Sequence, residues 1–577
     1  MWDAPGDIAN QISDEHCGEM AEYIIAFQVL EYRKVNETWR LLGYVERDMQ
    51  IIVCTDVENS SVITIQHPGS ICVEAGETIS EVISASDGNE HGIRIDAFGA
   101  PFISSSAAYN PETSDQGSIV FEWKTNCNDV QLDTYQVFLR AMEQSEEGPS
   151  IVTWSTLEIK IVGENISSKI KKISKFLKKN KSDYIFISAP ENVAWILNIR
   201  GGDSPNSPVP NLRLIISKTN KIFLISKKDK CKKLIKNKII KMNQLIDIDK
   251  FPKEILKLSG KSFIIDDKSC SIFYENLIKS KFKIIKREDP TYSLKAIKNK
   301  TEIKNMINAH ILDGVALTKF IYWIKKINKR QINEIMAAKK LEMFRKINKS
   351  FLYPSFDTIA GTGKNGAIVH YRANNKNCRK IQRKDIFLCD SGGQYKYGTT
   401  DVTRTLCFSN QKQSIKNIYT KVLKGHIAVA RTNINKDNIG KKIDKRARKF
   451  LKESNLDYAH GTGHGVGFFL NVHEGPQSIN KINKVKIKEG MILSNEPGYY
   501  KKNKYGIRIE NLVYVKNQNG HLFFENLTMV PIEKDLINYN LLTYYEKNYL
   551  FKYHLDVYSK ISKYLNHDER SWLASFI

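Results

Sequence analysis

The sequence predicts a multidomain chain with an N-terminal all-β sandwich, a middle α/β domain and a C-terminal α+β domain. Three observations predict it. Charge changes abruptly near residue 163: 27 acidic residues face 8 basic ones before it, a net −19, and 80 basic face 36 acidic after it, a net +44. Short runs of β-branched and aromatic residues fill the first part, whereas alternating helical and strand patterns begin at about 165. Past a long helical stretch near 301–326, glycine-flanked carboxylates and histidines gather between Asp390 and Glu510.

A chain of 577 residues, 41% of them hydrophobic, is long enough for about three domains with sizeable cores. The boundaries read from composition and pattern are 1–55, a partial sandwich repeat; 56–163, a whole one; 164–291, the α/β domain; and 292–577, the last domain. The first part is rich in Glu, Ser, Val and Thr and the second in Lys, Ile and Asn, as expected of two modules joined near 163–166.

In the first part AEYIIAFQVLEY, MQIIVCT, SVITIQ, GSIVFEW and LEIKIV read as strands separated by Gly, Asn, Ser and Pro. Cys72 and Cys127 lie near Trp123 at a separation that fits either a disulfide between two sheets or two unpaired buried thiols. CVEAGET, DGNEHGIRIDAFG and GSIVFEWKTNC together resemble the immunoglobulin-like (Ig-like) repeats of bacterial cell-surface proteins.

From 165, SSKIKKISKFLKKNKSD places Ile170, Ile173, Phe176 and Leu177 at helical spacing, with Ser167 or Ser168 as the expected N-cap. YIFISA, LRLIISK, KIFLIS and KSFIID read as buried strands. TEIKNMINAHILDGVALTKFIYWIKK opens the last domain as a long helix, with Ile303, Met306, Ile307, Ile311 and Val315 on one face. LLTYYEKNYLFKYHLDVYSKISKYL closes it as a helix that packs or forms a dimer surface. GTGKNG at 361–366 lacks phosphate-loop spacing and reads as a turn.

Several classes are excluded. MWDAPGDIANQISDEH has neither a basic nor an apolar signal region, and no run of about 18 apolar residues predicts a membrane span. The lysine runs alternate with Ile and Leu and carry no interleaved aromatic platform, so a solvated basic face is expected and nucleic acid is not. Cys231, Cys270, Cys378, Cys389 and Cys407 read as thiols of a cytoplasmic enzyme, although the N-terminal module resembles extracellular repeats.

The chemistry lies in Asp390, Asp401, His464, Glu496 and Glu510. Four carboxylates and an imidazole suit hard or borderline divalent cations, and gathered without a cation they would repel one another. Two metals about 3.5–4 Å apart can share a water, lower its pKa and polarise a carbonyl, which is hydrolytic chemistry.

FDTIAGTGKNGAIVHYR, LCDSGGQYKYGTTDVTRT, YAHGTGHGVGFFLNVHEGP, ILSNEPGYY and YGIRIEN resemble, in that order, the pita-bread metallopeptidases, and within them the aminopeptidase P type of Xaa-Pro aminopeptidase. ENVAWILNIRGGDSPNSPVP resembles the creatinase-N-like domain that precedes the catalytic domain there. The likeness does not extend to the first domain of three-domain members, which in that family helps shape dimers and substrate access.

The resemblance implies that Asp390 chelates one metal, that Asp401 and Glu510 bridge two, and that His464 and Glu496 complete the shells, with Glu496 as proton acceptor. Mn²⁺ is the expected metal, with Zn²⁺ and Co²⁺ as alternatives. His370, His460 and His473 stand where the family has histidines around the scissile carbonyl and leaving nitrogen, and Arg508 where it has an arginine supporting the carboxylates. Tyr371, Asp357 and Tyr500 lie nearby without an assigned role. The implied substrate is a peptide with proline second and the implied assembly a homodimer through the catalytic domain. The rivals are a prolidase acting on Xaa-Pro dipeptides and a metal-free peptide-binding module on the same fold.

Overall fold

The structure, a computed structural model, describes residues 63–87, 92–110, 116–126, 129, 134–144, 152–327, 332–396 and 398–577, and also 11–14, 17–35 and 38–54 as backbone strands. It has two compact units, Met1–Val162 and Gly163–Ile577. No described helix is long and apolar enough to cross a membrane.

In the first unit Gln11–Asp14, Cys17–Val35 and Thr38–Cys54 form an antiparallel sheet. Eight further strands form two four-stranded sheets. One holds, in spatial order, Thr64–Gln66, Thr78–Ser86, Ser118–Lys124 and Ala108–Tyr109; the other Ser70–Glu74, Val152–Val162, Tyr135–Gln144 and Gly92–Gly99. Side chains alternate along a strand, so Ile119, Phe121 and Trp123 of the first sheet and Val137, Leu139 and Ala141 of the second share one core. Trp123 is fully buried, and its indole N–H donates to Ser105 Oγ at 2.9 Å. Cys127 lies outside the described residues, and so does its pairing with Cys72.

The second unit begins with helix Ile166–Lys179, which buries Ile170, Ile173 and Leu177 against a mixed six-stranded sheet, each contributing roughly 1.5–3 kcal/mol. Its N-cap is Asn165 and not Ser167 or Ser168: the Asn165 side chain accepts the Ser168 N–H at 2.8 Å, and both serines lie inside the first turn. Strand Tyr184–Ile187 shows why its sequence is apolar throughout. Ile185 and Ile187 face one core, Tyr184 and Phe186 the other.

Helix Lys300–Lys326 opens the region that carries the site, started by Asn299 in a capping box with Glu302. The turn expected at GTGKNG is a short 3-10 helix, Gly363–Ala367, with Gly363 at φ 53°. Cys389 and Cys407 are buried in strands Ile386–Ser391 and Val402–Cys407. Near the C-terminus helix Tyr544–Ile561, which a short helix His567–Ala574 follows, buries Leu550, Tyr553, Val557 and Ile561 and exposes Tyr544, Tyr545, Phe551 and Leu555.

Candidate metal centre

Two strand pairings collect the carboxylates. Ile386–Ser391 runs antiparallel to Val402–Cys407 with Asp390 opposite Thr403, so Asp401, one residue before that strand, emerges beside Asp390. The chain between them passes through the paired strands Gly393–Tyr395 and Gly398–Thr399, and its two ends come so close that glycine is needed at 392, where a Cβ would lie 2.0 Å from the Thr400 carbonyl oxygen. Ile492–Asn495 pairs with Asn511–Gln518, Asn495 opposite Asn511, so Glu496 and Glu510 leave the sheet at the same end. The Glu510 N–H donates to the Thr403 carbonyl at 3.1 Å and joins the two sheets. His464 lies on the short strand Gly463–His464, whose glycine approaches Ser494 so closely that a Cβ would sit 1.9 Å from the carbonyl oxygen.

Ligand atoms of Asp401, His464 and Glu510 all lie within 4.8 Å of one another. His464 Nδ1 is 2.9 Å from the Gly465 carbonyl, which can only accept, so Nδ1 carries a proton and in the neutral ring Nε2 is bare. That bare nitrogen faces Asp401 Oδ2 at 3.4 Å and Glu496 Oε1 at 3.6 Å. Asp390 Oδ1 is buried with no hydrogen-bond partner. Burial, then repulsion from Asp390 and Glu496, pushes the Asp401 carboxyl well above its usual range. Burial and repulsion from Asp401, Glu496 and Asp390 do the same to Glu510. An orphaned carboxylate oxygen and a bare imidazole nitrogen turned toward acids fit bound cations.

Arg508 orders the surroundings. Its buried guanidinium donates to Asp390 Oδ2 at 2.5 Å, to Thr403 Oγ1 at 3.0 Å and to the Tyr500 hydroxyl at 2.6 Å. Thr403 in turn donates to Glu510 Oε2 at 2.7 Å. His460 spends Nδ1–H on the Gly461 carbonyl at 2.7 Å, so its Nε2 accepts the Tyr500 hydroxyl at 2.9 Å. Ser494 takes the His464 backbone N–H at 2.9 Å and donates to Glu496 Oε1 at 3.1 Å. Burial would raise the Glu496 carboxyl, but His464 and His460 when protonated, together with Arg508, outweigh it and hold the group below its usual range.

Asp390, Asp401, His464, Glu496, Glu510, His370, His460, His473 and Arg508 line one cavity of about 470 Å³, walled by Phe356, Ile359, Val369 and Val472. The His473 ring meets His464 edge-on at 4.2 Å, and His370 is exposed. Of the residues without an assigned role, Tyr500 joins Arg508 and His460, and Asp357 lines the cavity 3.6 Å from Arg372. Tyr371 turns away and donates to buried Glu334 at 2.7 Å. Thr403 and Ser494 were missed, although each stands two residues from a carboxylate, the spacing that keeps strand side chains on one face.

Buried acids turned toward an imidazole nitrogen fit cations between them, and the class of protein that such a site suits is a metallohydrolase. The metallopeptidase family M24 model matches residues 304–517, the creatinase/prolidase N-terminal domain model 126–302, and that of the C-terminal region of peptidase M24 520–575. A probable Xaa-Pro aminopeptidase P of Laccaria bicolor is 38% identical over 437 residues, 72% of this chain and 68% of the relative. That of Sclerotinia sclerotiorum is 38% identical over 440 residues, 71% and 72% of the two chains. Among solved structures, the X-prolyl aminopeptidase of Caenorhabditis elegans, described as a cytosolic enzyme with a di-nuclear active site, superposes with TM-score 0.64 at 31% identity, covering 72% of this chain and 70% of that one. The prolidase of Pyrococcus horikoshii gives 0.52 at 26% identity over 63% of this chain. The chain belongs to metallopeptidase family M24, with the pita-bread catalytic fold and a creatinase-type domain before it.

Proposed function

We propose that the protein is an aminopeptidase that hydrolyses the bond between an N-terminal residue and a following proline. The observation that carries this is the single cavity in which five metal-binding side chains meet three further imidazoles. Asp390, Asp401, His464, Glu496 and Glu510 would hold two divalent cations, and Mn²⁺ is the proposed metal because oxygen ligands predominate. Bound there, such cations polarise a carbonyl and acidify a water.

The protein's own groups supply the rest. Glu496, whose carboxyl is held below its usual range, accepts the proton of the attacking water. A proline nitrogen within the chain has no N–H to bind, so recognition falls on ring shape and on the carbonyl. His473 and His370, both on the cavity, orient that carbonyl, and the proton taken up by Glu496 passes to the departing nitrogen. Arg508 fixes Asp390, and through Tyr500 fixes His460.

Purified protein loaded with Mn²⁺ should release the first residue of an Xaa-Pro tripeptide, and Asp401→Ala should not. Equal activity in both proteins, or none in either, overturns the reading. Cleavage of the dipeptide alone would favour a prolidase.

We also propose that 56–163 is an Ig-like sandwich. If Thr64–Gln66 and Ser70–Glu74 are taken as one strand divided between the sheets, the strand orders become 1-2-5-4 and 1-7-6-3, which supports it. Pairing of two copies through the exposed Tyr544, Tyr545, Phe551 and Leu555 is proposed as well, with sedimentation as the test. A cytosolic location for the catalytic part is in keeping with Cys231, Cys270, Cys378, Cys389 and Cys407, which form no disulfide.

A further inference from the structure

The segment between His464 and Gln477 carries His473 and closes on itself. The Gly465 N–H donates to the Gln477 carbonyl at 3.1 Å, and the Glu474 N–H to the Gly465 carbonyl at 2.8 Å. Other parts of the chain hold its back. Gln394 Nε2 donates to the Leu470 carbonyl at 2.8 Å, and the Arg200 guanidinium to the carbonyls of Phe468, at 3.0 Å, and Phe469.

The strongest tie is ionic. Glu474, next in sequence to His473, places Oε2 2.7 Å from Lys295 Nζ and Oε1 2.9 Å from Lys298 Nζ. The three side chains are 1%, 1% and 0% exposed for Glu474, Lys295 and Lys298, and none of them lines the cavity. Removing three ions from water costs several kcal/mol for each, and an apolar trio of similar volume would hold the fold as well. What an ionic clamp adds is a fixed geometry. Consecutive Cα atoms are locked about 3.8 Å apart, so a shift of Glu474 moves His473 and its edge-on contact with His464. A misplacement of about 1 Å in a catalytic constellation costs about 100-fold in rate.

We propose that Glu474, clamped by Lys295 and Lys298, is the positioning residue that sets the His473 imidazole for the reaction. The inference rests on the reading of His473 given above. Metal-loaded full-length His473→Ala, Glu474→Gln, their double variant and Lys298→Met are compared by steady-state kinetics on an Xaa-Pro tripeptide, metal stoichiometry and Tm. Glu474→Gln should lower kcat by about 10- to 100-fold with KM within about twofold and metal retained. In the His473→Ala background the same change should cost less than about twofold, because the group it positions is gone. If Glu474→Gln does not fold, Lys298→Met decides by the same comparison. An unchanged kcat in the clamp variants, or a loss equally large without His473, overturns the positioning role. A His473→Ala enzyme with wild-type kinetics overturns the role of His473 itself, and the clamp's with it.

Discussion

Nε2 of His464 stands 3.4 Å from Oδ2 of Asp401 while Nδ1–H is spent on Gly465, so two acceptors face each other across the centre. A proton or a cation must lie between them, and the Asp401 and Glu510 carboxyls are pushed up by burial and by repulsion from the acids around them. Chelation should therefore lower Tm by roughly 5–10 °C, and Mn²⁺ should restore it. Asp401→Asn, which removes one of the repelling charges, should lose activity yet melt higher than wild type when both are metal-free. Calorimetry with and without chelator checks both.

Arg508 makes three hydrogen bonds at the centre, to Asp390, Thr403 and Tyr500, through separate nitrogens. Lysine keeps the charge but not the planar fork. Arg508→Lys should weaken metal binding and reduce activity by about 10- to 100-fold each while leaving the protein folded. Metal titration followed by an assay at saturating metal separates the two effects.

Away from the cavity, Asp313 and Arg345 form a buried pair at 2.7 Å, and Asp313 also accepts from Tyr395 and Thr400 at 2.8 and 2.9 Å. Burial alone would raise the Asp313 carboxyl, but Arg345 and these hydroxyls lower it below the usual range. A depressed acid stabilises the folded state above its unfolded pKa and loses that contribution as pH falls through the folded one. Asp313→Asn should cost about 3–5 kcal/mol at neutral pH, because Arg345 stays buried and unpaired. The gap from wild type should narrow on acidification below the ordinary aspartate range, as read by denaturant unfolding at several pH values.

Tyr371 and Tyr500 looked equivalent in sequence, each beside a site motif. Only Tyr500 reaches the centre; Tyr371 donates to Glu334, which also accepts from Asn365. Tyr371→Phe should lower stability by about 1 kcal/mol and leave kcat/KM within about twofold of wild type. A large kinetic loss with unchanged stability would contradict that placement.

The sequence alone determined the identity and order of the acids and histidines, because glycines and alternating apolar residues mark their strands and turns locally. It also determined the long helix Lys300–Lys326 and the apolar face of Ile166–Lys179, since helical periodicity is a short-range property. Its cap was misread because Asn165 and the two serines are all good caps, and only the backbone shows where the first turn begins. Tertiary structure alone decided that Asn495 pairs with Asn511, bringing Glu496 beside Glu510, and that Lys298 meets Glu474 across 176 positions. It also decided which His464 nitrogen is bare. Register between distant strands and the partner of a buried charge depend on which segments come to share a core, and no local pattern records that.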